Sequence, residues 1–142
     1  MYRKLVNRIR GGKISDISRI CDLVSMKIET LDTPVYLHIQ SFFRVLHNGK
    51  IVISLDDIYK SGDLETKEFE WDVPGKSVFD ESLNMHKKEL QNSRILKIRK
   101  KQSGDFTIFF ENGYVLEIFV DTVMKEEKYR FFDDRLEYIK ES

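Results

Sequence analysis

The chain has 142 residues, with 24 Lys+Arg against 24 Asp+Glu and a single cysteine. Its 41% hydrophobic and 12% aromatic content supplies one core, which excludes wholesale disorder and fits a single domain over residues 1–142. Balanced charge excludes a global pull toward nucleic acid or an anionic membrane, one Cys excludes an internal disulfide, and no run approaches the ~20 apolar residues of a membrane span.

The opening Met-Tyr-Arg-Lys-Leu-Val-Asn-Arg lacks the apolar run of a signal peptide, so a cytoplasmic location is expected. Residues 17–29 read as one long or bent strand, with Cys21 as a small buried hydrophobe. After Pro34, Val35, Leu37, Ile39, Phe43 and Val45 alternate with Tyr36, His38, Gln40, Phe42 and Arg44, the period-2 mark of a strand. Asn48-Gly49 then fits a two-residue type I′ hairpin, residues 51–54 return, and residues 55–60 leave the sheet as a turn or short helix. Residues 61–76, with Gly62, Pro74 and Gly75, read as a long surface loop. The best helix is Val78–Gln91: Ser77 and Asp80 resemble a capping box, and Phe79, Leu83, His86 and Leu90 form one stripe. A three-strand meander over 94–101, 105–111 and 114–120 follows, turning at Ser103-Gly104 and Asn112-Gly113, and residues 129–132 are a further strand candidate. The fold class is therefore α+β: a mainly antiparallel, twisted sheet or open barrel with one principal helix.

Two-residue turns would place Phe109 opposite Leu116, Thr107 opposite Ile118 and Ile98 opposite Phe109, making Ile98, Phe109, Leu116 and Ile118 the core side. The other side would then carry the rows Lys97–Phe110–Val115, Arg99–Ile108–Glu117 and Lys101–Phe106–Phe119. Exposed, Phe106, Phe110 and Phe119 beside Lys97, Arg99 and Lys101 would stack bases and flank phosphates. Patch size favours the alternative, in which another element covers the rings and the basic stems reach the rim. In the first hairpin, Arg44 would face Ile53, and His38, Gln40 and Arg44 would form a polar stripe with Asp56 and Asp57 near its exit. Such a stripe suits an anionic group, or else holds an arginine satisfied by a carboxylate.

Other chemistry is sparse. His38, His47 and His86 show no metal-ligand spacing, and no phosphate loop, nucleophile elbow or EF-hand sequence occurs. His47 reads as a turn residue, His86 as a helix-face residue, Asp56-Asp57 as turn chemistry and residues 125–128 as a solvated charged run. A nucleophilic role for Cys21 would require His38 beside it. No catalytic residue, cofactor or metal is expected.

Several segments carry a resemblance: Tyr36-Leu-His-Ile-Gln40 into Phe43-Arg44, Asn48-Gly49-Lys50-Ile51, Asp57-Ile58-Tyr59, Trp71-Asp72, residues 112–119 and Arg130-Phe131-Phe132. Together, over about residues 17–132, they resemble a widespread family of small uncharacterised bacterial proteins, departing at Tyr129 and at Ser41-Phe42. The resemblance implies bacterial origin and the fold above, with no assigned activity. The functional expectation is a non-catalytic protein-binding domain, in its sharpest form an immunity protein whose partner is a cognate toxin domain. The alternative is a module binding nucleic acid or a small anion. An enzyme using His38, Asp57 and Arg44 is the third reading.

Overall fold

The computed structural model describes residues 2–61, 69–124, 126–135 and, as backbone, 137–141. The element order is α1 (Tyr2–Ile9), β1 (Lys13–Ile20), β2 (Leu23–Glu29), β3 (Val35–Ile39), β4 (Phe43–His47), β5 (Lys50–Ser54), a 3₁₀ turn (Leu55–Tyr59), α2 (Val78–Gln91), β6 (Ile95–Lys100), β7 (Phe106–Phe110), β8 (Tyr114–Ile118), β9 (Tyr129–Phe132) and β10 (Glu137–Glu141). The α+β class with mainly antiparallel strands holds, and the strands divide into two sheets, ordered β1-β2-β3-β9-β10 and β5-β4-β8-β7-β6. They share one core: Phe106 of the second sheet lies with its ring centroid 4.9 Å from Phe131 and 5.7 Å from Tyr129 of the first. The Tyr129 hydroxyl donates to the Gly104 carbonyl at 2.6 Å across the same junction.

The alternation from Val35 to Val45 survives, but over two strands. Val35, Leu37, Ile39, Phe43 and Val45 are all buried, and the chain changes sheets at residues 40–42. Residues 17–29 are likewise a hairpin rather than one strand: Ile20 pairs with Leu23, and Cys21 turns the corner at φ 54°. That corner leaves Cys21 exposed, not buried as its apolar neighbours suggest. A bulge between Ile14 and Asp16 shifts the phase of β1, so that Ile17 and Arg19 point inward.

The main correction concerns register. Phe109 pairs with Val115, Ile108 with Leu116 and Ile98 with Ile108. Each reversal spans three residues, closed by Gly113 (φ 87°) and Gly104 (φ 101°), instead of two. One residue of slip turns every side chain over. Phe106, Ile108 and Phe110 therefore face the core, while Thr107, Phe109 and Glu117 face outward. At Asn48-Gly49 both residues have positive φ and His47 pairs with Lys50, as expected, but a bulge beyond Leu46 sets Arg44 opposite Ser54 rather than Ile53.

Both helices bury a narrow stripe. In α2, Phe79, Leu83 and Leu90 are buried, and Phe79 meets Phe43 edge-on at 6.0 Å. Ser77 and Asp80 close a complete capping box. The helix α1, which the sequence reading lacks, buries Leu5 and Ile9 and ends where Gly11 takes φ 80°. Of the expected loop 61–76, residues 62–68, Gly62 included, lie outside the described residues, as does Lys125 of the charged run. Among the described residues no helix is long and apolar enough to cross a membrane.

Candidate functional site

Strand alternation fixes which side chains reach the outer face of the first sheet. Val24, Met26, Ile28, Val35, Leu37, Ile39, Tyr129 and Phe131 fill the core, so the residues between them must point away from it. The registers β2–β3 and β3–β9 line these up in two rows, Ser25–His38–Arg130 and Lys27–Tyr36–Phe132. All six are half-buried.

The rows interlock around Phe132. Tyr36 stacks on it with centroids 5.6 Å apart, His38 meets it edge-on at 4.9 Å, and the Arg130 guanidinium carbon sits 4.4 Å above its ring. Glu127 borders the cluster, accepting from Gln40 Nε2 at 3.0 Å and lying 3.9 Å from Arg130 Nε. Burial, helped by the Arg130 charge and opposed by Glu127, lowers the His38 pKa below its ordinary 6.5. The imidazole therefore stays neutral at pH 7 and adds an aromatic, hydrogen-bonding edge rather than a charge.

The other expected site residues are dispersed. Phe106 and Phe110 are core residues, 0% and 3% exposed, whereas Phe119 lies half-buried on the outer face of the second sheet against Phe42, centroids 5.7 Å apart. The three rings do not share a face, because the one-residue slip sends two of them inward. Lys97, Arg99 and Lys101 remain exposed along or just beyond β6, with Lys97 Nζ 5.8 Å from the Phe109 ring centre. Arg44 leaves the His38–Gln40 stripe because β4 belongs to the other sheet. It donates to Glu117 at 2.9 Å and stands 5.4 Å over Phe119, so Glu117 serves Arg44 and not Arg99. Asp57 is elsewhere again, accepting from Lys60 at 2.9 Å.

Two polar clusters escaped the sequence reading. Arg19, inward on β1, donates to both Asp80 carboxylate oxygens at 2.8 and 2.7 Å and to the carbonyls of Cys21, Trp71 and Val73. Burial alone would raise the Asp80 pKa. Hydrogen bonds from Arg19 and Ser77 overcome it and bring the value to about 2. Elsewhere the buried Tyr114 hydroxyl donates to Glu89 at 2.9 Å and lies 2.8 Å from His86 Nδ1, with His47 stacked on its ring at 4.2 Å. The signal for Arg19 was an arginine at a phase where β1 turns inward. For Tyr114 no local pattern marks the partners, which arrive from α2.

Among the described residues no group of three or more His, Cys, Asp and Glu is placed to hold a metal ion. No protein-family model matches the chain, no curated protein is significantly similar to it, and no solved structure matches it.

Proposed function

We propose that the protein is a non-catalytic binding domain that grips a protein partner through the outer face of its first sheet, as an immunity protein grips the toxin domain it neutralises. The observation that carries this reading is the half-exposed cluster of Tyr36, Phe132, His38 and Arg130. Tyrosine and arginine are the side chains that dominate interface hot spots, and an aromatic ring between them offers a large rigid contact. Mounting them on paired strands fixes their rotamers beforehand, so little conformational entropy remains to be lost on docking. The Lys27 and Glu127 charges at the margin supply a polar rim with both signs, suited to selecting a partner by local complementarity rather than by long-range attraction. The bacterial origin rests on the sequence resemblance, and the immunity role on a small, heavily charged domain whose sequence shows no recognisable catalytic motif.

The test is calorimetry of the purified chain with the toxin domain encoded beside its gene, repeated with Phe132→Ala and Arg130→Ala. A complex weakened by each variant by about 2 kcal/mol, roughly thirtyfold, is the expected result. Failure to form a complex removes that toxin as the partner. A complex indifferent to both variants removes this face.

A further inference from the structure

The C-terminal end of α1 and the start of β1 frame an open cleft of about 510 Å³ whose charged lining is Arg8, Arg10, Lys13, Glu29, Asp32 and Arg94. Both carboxylates face cations from outside the lining: Glu29 lies 3.6 Å from Lys27, and Asp32 lies 3.2 Å from Arg135. Arg8 is similarly engaged, by Asp133, Thr30 and Thr33. Among the described residues the remaining three cations have no carboxylate partner. Arg94 donates to the Gly11 carbonyl at 3.0 Å, and the side chains of Arg10 and Lys13 have no hydrogen bond or ion pair among the described residues.

Arg10 and Lys13 are held on either side of Gly11-Gly12, and that spacer is sterically fixed. A Cβ on Gly12 would lie 2.5 Å from the Glu29 carbonyl oxygen and 2.9 Å from that of Ile9, so α1 closes directly onto β2. Three unmatched cations around one concavity are an asymmetry on a chain of zero net charge. A concave wall focuses their field, and guanidinium forks match phosphoryl oxygens in pairs. The volume falls within the range of small-molecule sites, about 300–1,000 Å³.

We propose that this cleft binds a small ligand carrying two or more phosphoryl groups, of the nucleoside di- or triphosphate class. The cleft lining shares no residue with the sheet face assigned to a protein partner, which it adjoins through the Lys27–Glu29 pair, and the proposal does not rest on that assignment.

The experiment is calorimetric titration of the full chain with sodium pyrophosphate and with magnesium-free ATP at low ionic strength. Saturable binding of at least one, weakened about tenfold or more by Arg10→Glu and by Lys13→Glu, is expected. Lys50→Glu, at a hairpin tip outside the cleft, should leave it unchanged. Tighter binding of ATP would assign the rest of the cleft to the nucleoside, and equal affinities would assign recognition to the phosphoryl groups. No saturable heat with either probe, wild-type affinity in both cleft variants, or an equal loss in Lys50→Glu would overturn the proposal.

Discussion

Replacing Asp80 by Asn keeps the side-chain shape but strands the Arg19 guanidinium inside the protein. The two side chains are only 2% and 9% exposed, and without the carboxylate Arg19 retains only carbonyl acceptors. Removing one partner of a buried pair costs about 3–5 kcal/mol, a large part of the roughly 5–15 kcal/mol that stabilises a domain. At an m-value of about 2 kcal/mol/M, a loss of about 4 kcal/mol moves the urea midpoint down by about 2 M. The transition is read by far-UV circular dichroism and, in parallel, by the fluorescence of Trp71, the one tryptophan, whose carbonyl Arg19 holds at 2.7 Å. Adding Arg19→Met removes the stranded cation and should recover much of the loss.

Acid supplies an independent check. The Asp80 pKa falls from 3.8 to about 2 on folding, so the carboxylate contribution is intact above pH 4 and disappears as the pH drops toward 2. The linked part is about 2 kcal/mol. The stability gap between wild type and Asp80→Asn should therefore narrow between pH 4 and pH 2. A midpoint shift below about 0.5 M, or a gap indifferent to acid, would refute the reasoning.

Three further outcomes are expected. Gly49→Ala and Gly113→Ala should each lower the thermal midpoint through about 1 kcal/mol of backbone strain, since both glycines have φ near 85°, and at Gly113 the new Cβ also obliges the Asn48 amide to turn aside. Tyr114 should titrate well above an ordinary tyrosine, since burial and then the Glu89 hydrogen bond push its pKa up to about 12. The Tyr114 contribution to stability should hold below pH 10 and fall toward pH 12, and Tyr114→Phe should reduce that fall, as read by phenolate absorbance and alkaline unfolding. In an NMR titration His38 should protonate below its ordinary 6.5, and Arg130→Gln should move its midpoint upward by removing the neighbouring positive charge.

Local chemistry was legible in the sequence wherever one short segment decides the outcome. Ser77 and Asp80 announce the start of α2 four residues at a time, and the alternation from Val35 to Val45 sorts inside from outside even though the strand breaks between them. Register was not, because an Asn-Gly pair serves two kinds of reversal. At Asn48-Gly49 both residues adopt positive φ, whereas at Asn112-Gly113 only the glycine does, within a three-residue turn. A usable signal was present: the observed pairing sets polar Thr107 against Glu117, while the shorter turn would set Thr107 against Ile118. The site was half legible. His38 and Gln40 were identified from their strand, but Arg130 and Phe132 join them from a strand about 90 positions away. No local pattern announces that meeting. The eight-residue α1, with only Leu5 and Ile9 to bury, was too short for its period to stand out.

The seams that join the sheets have a consequence for biogenesis. β3 pairs with β9, and β4 with β8, across roughly 90 and 70 intervening positions, so each sheet draws strands from both sides of α2. On the ribosome the second layer is not complete until β8 has emerged and the first not until β10, leaving the early hairpins with one apolar face uncovered. Cleavage between Trp71 and Lys76 should therefore yield two pieces that are unstable apart and regain structure on mixing, which makes that stretch a natural place to split the protein into a complementing pair.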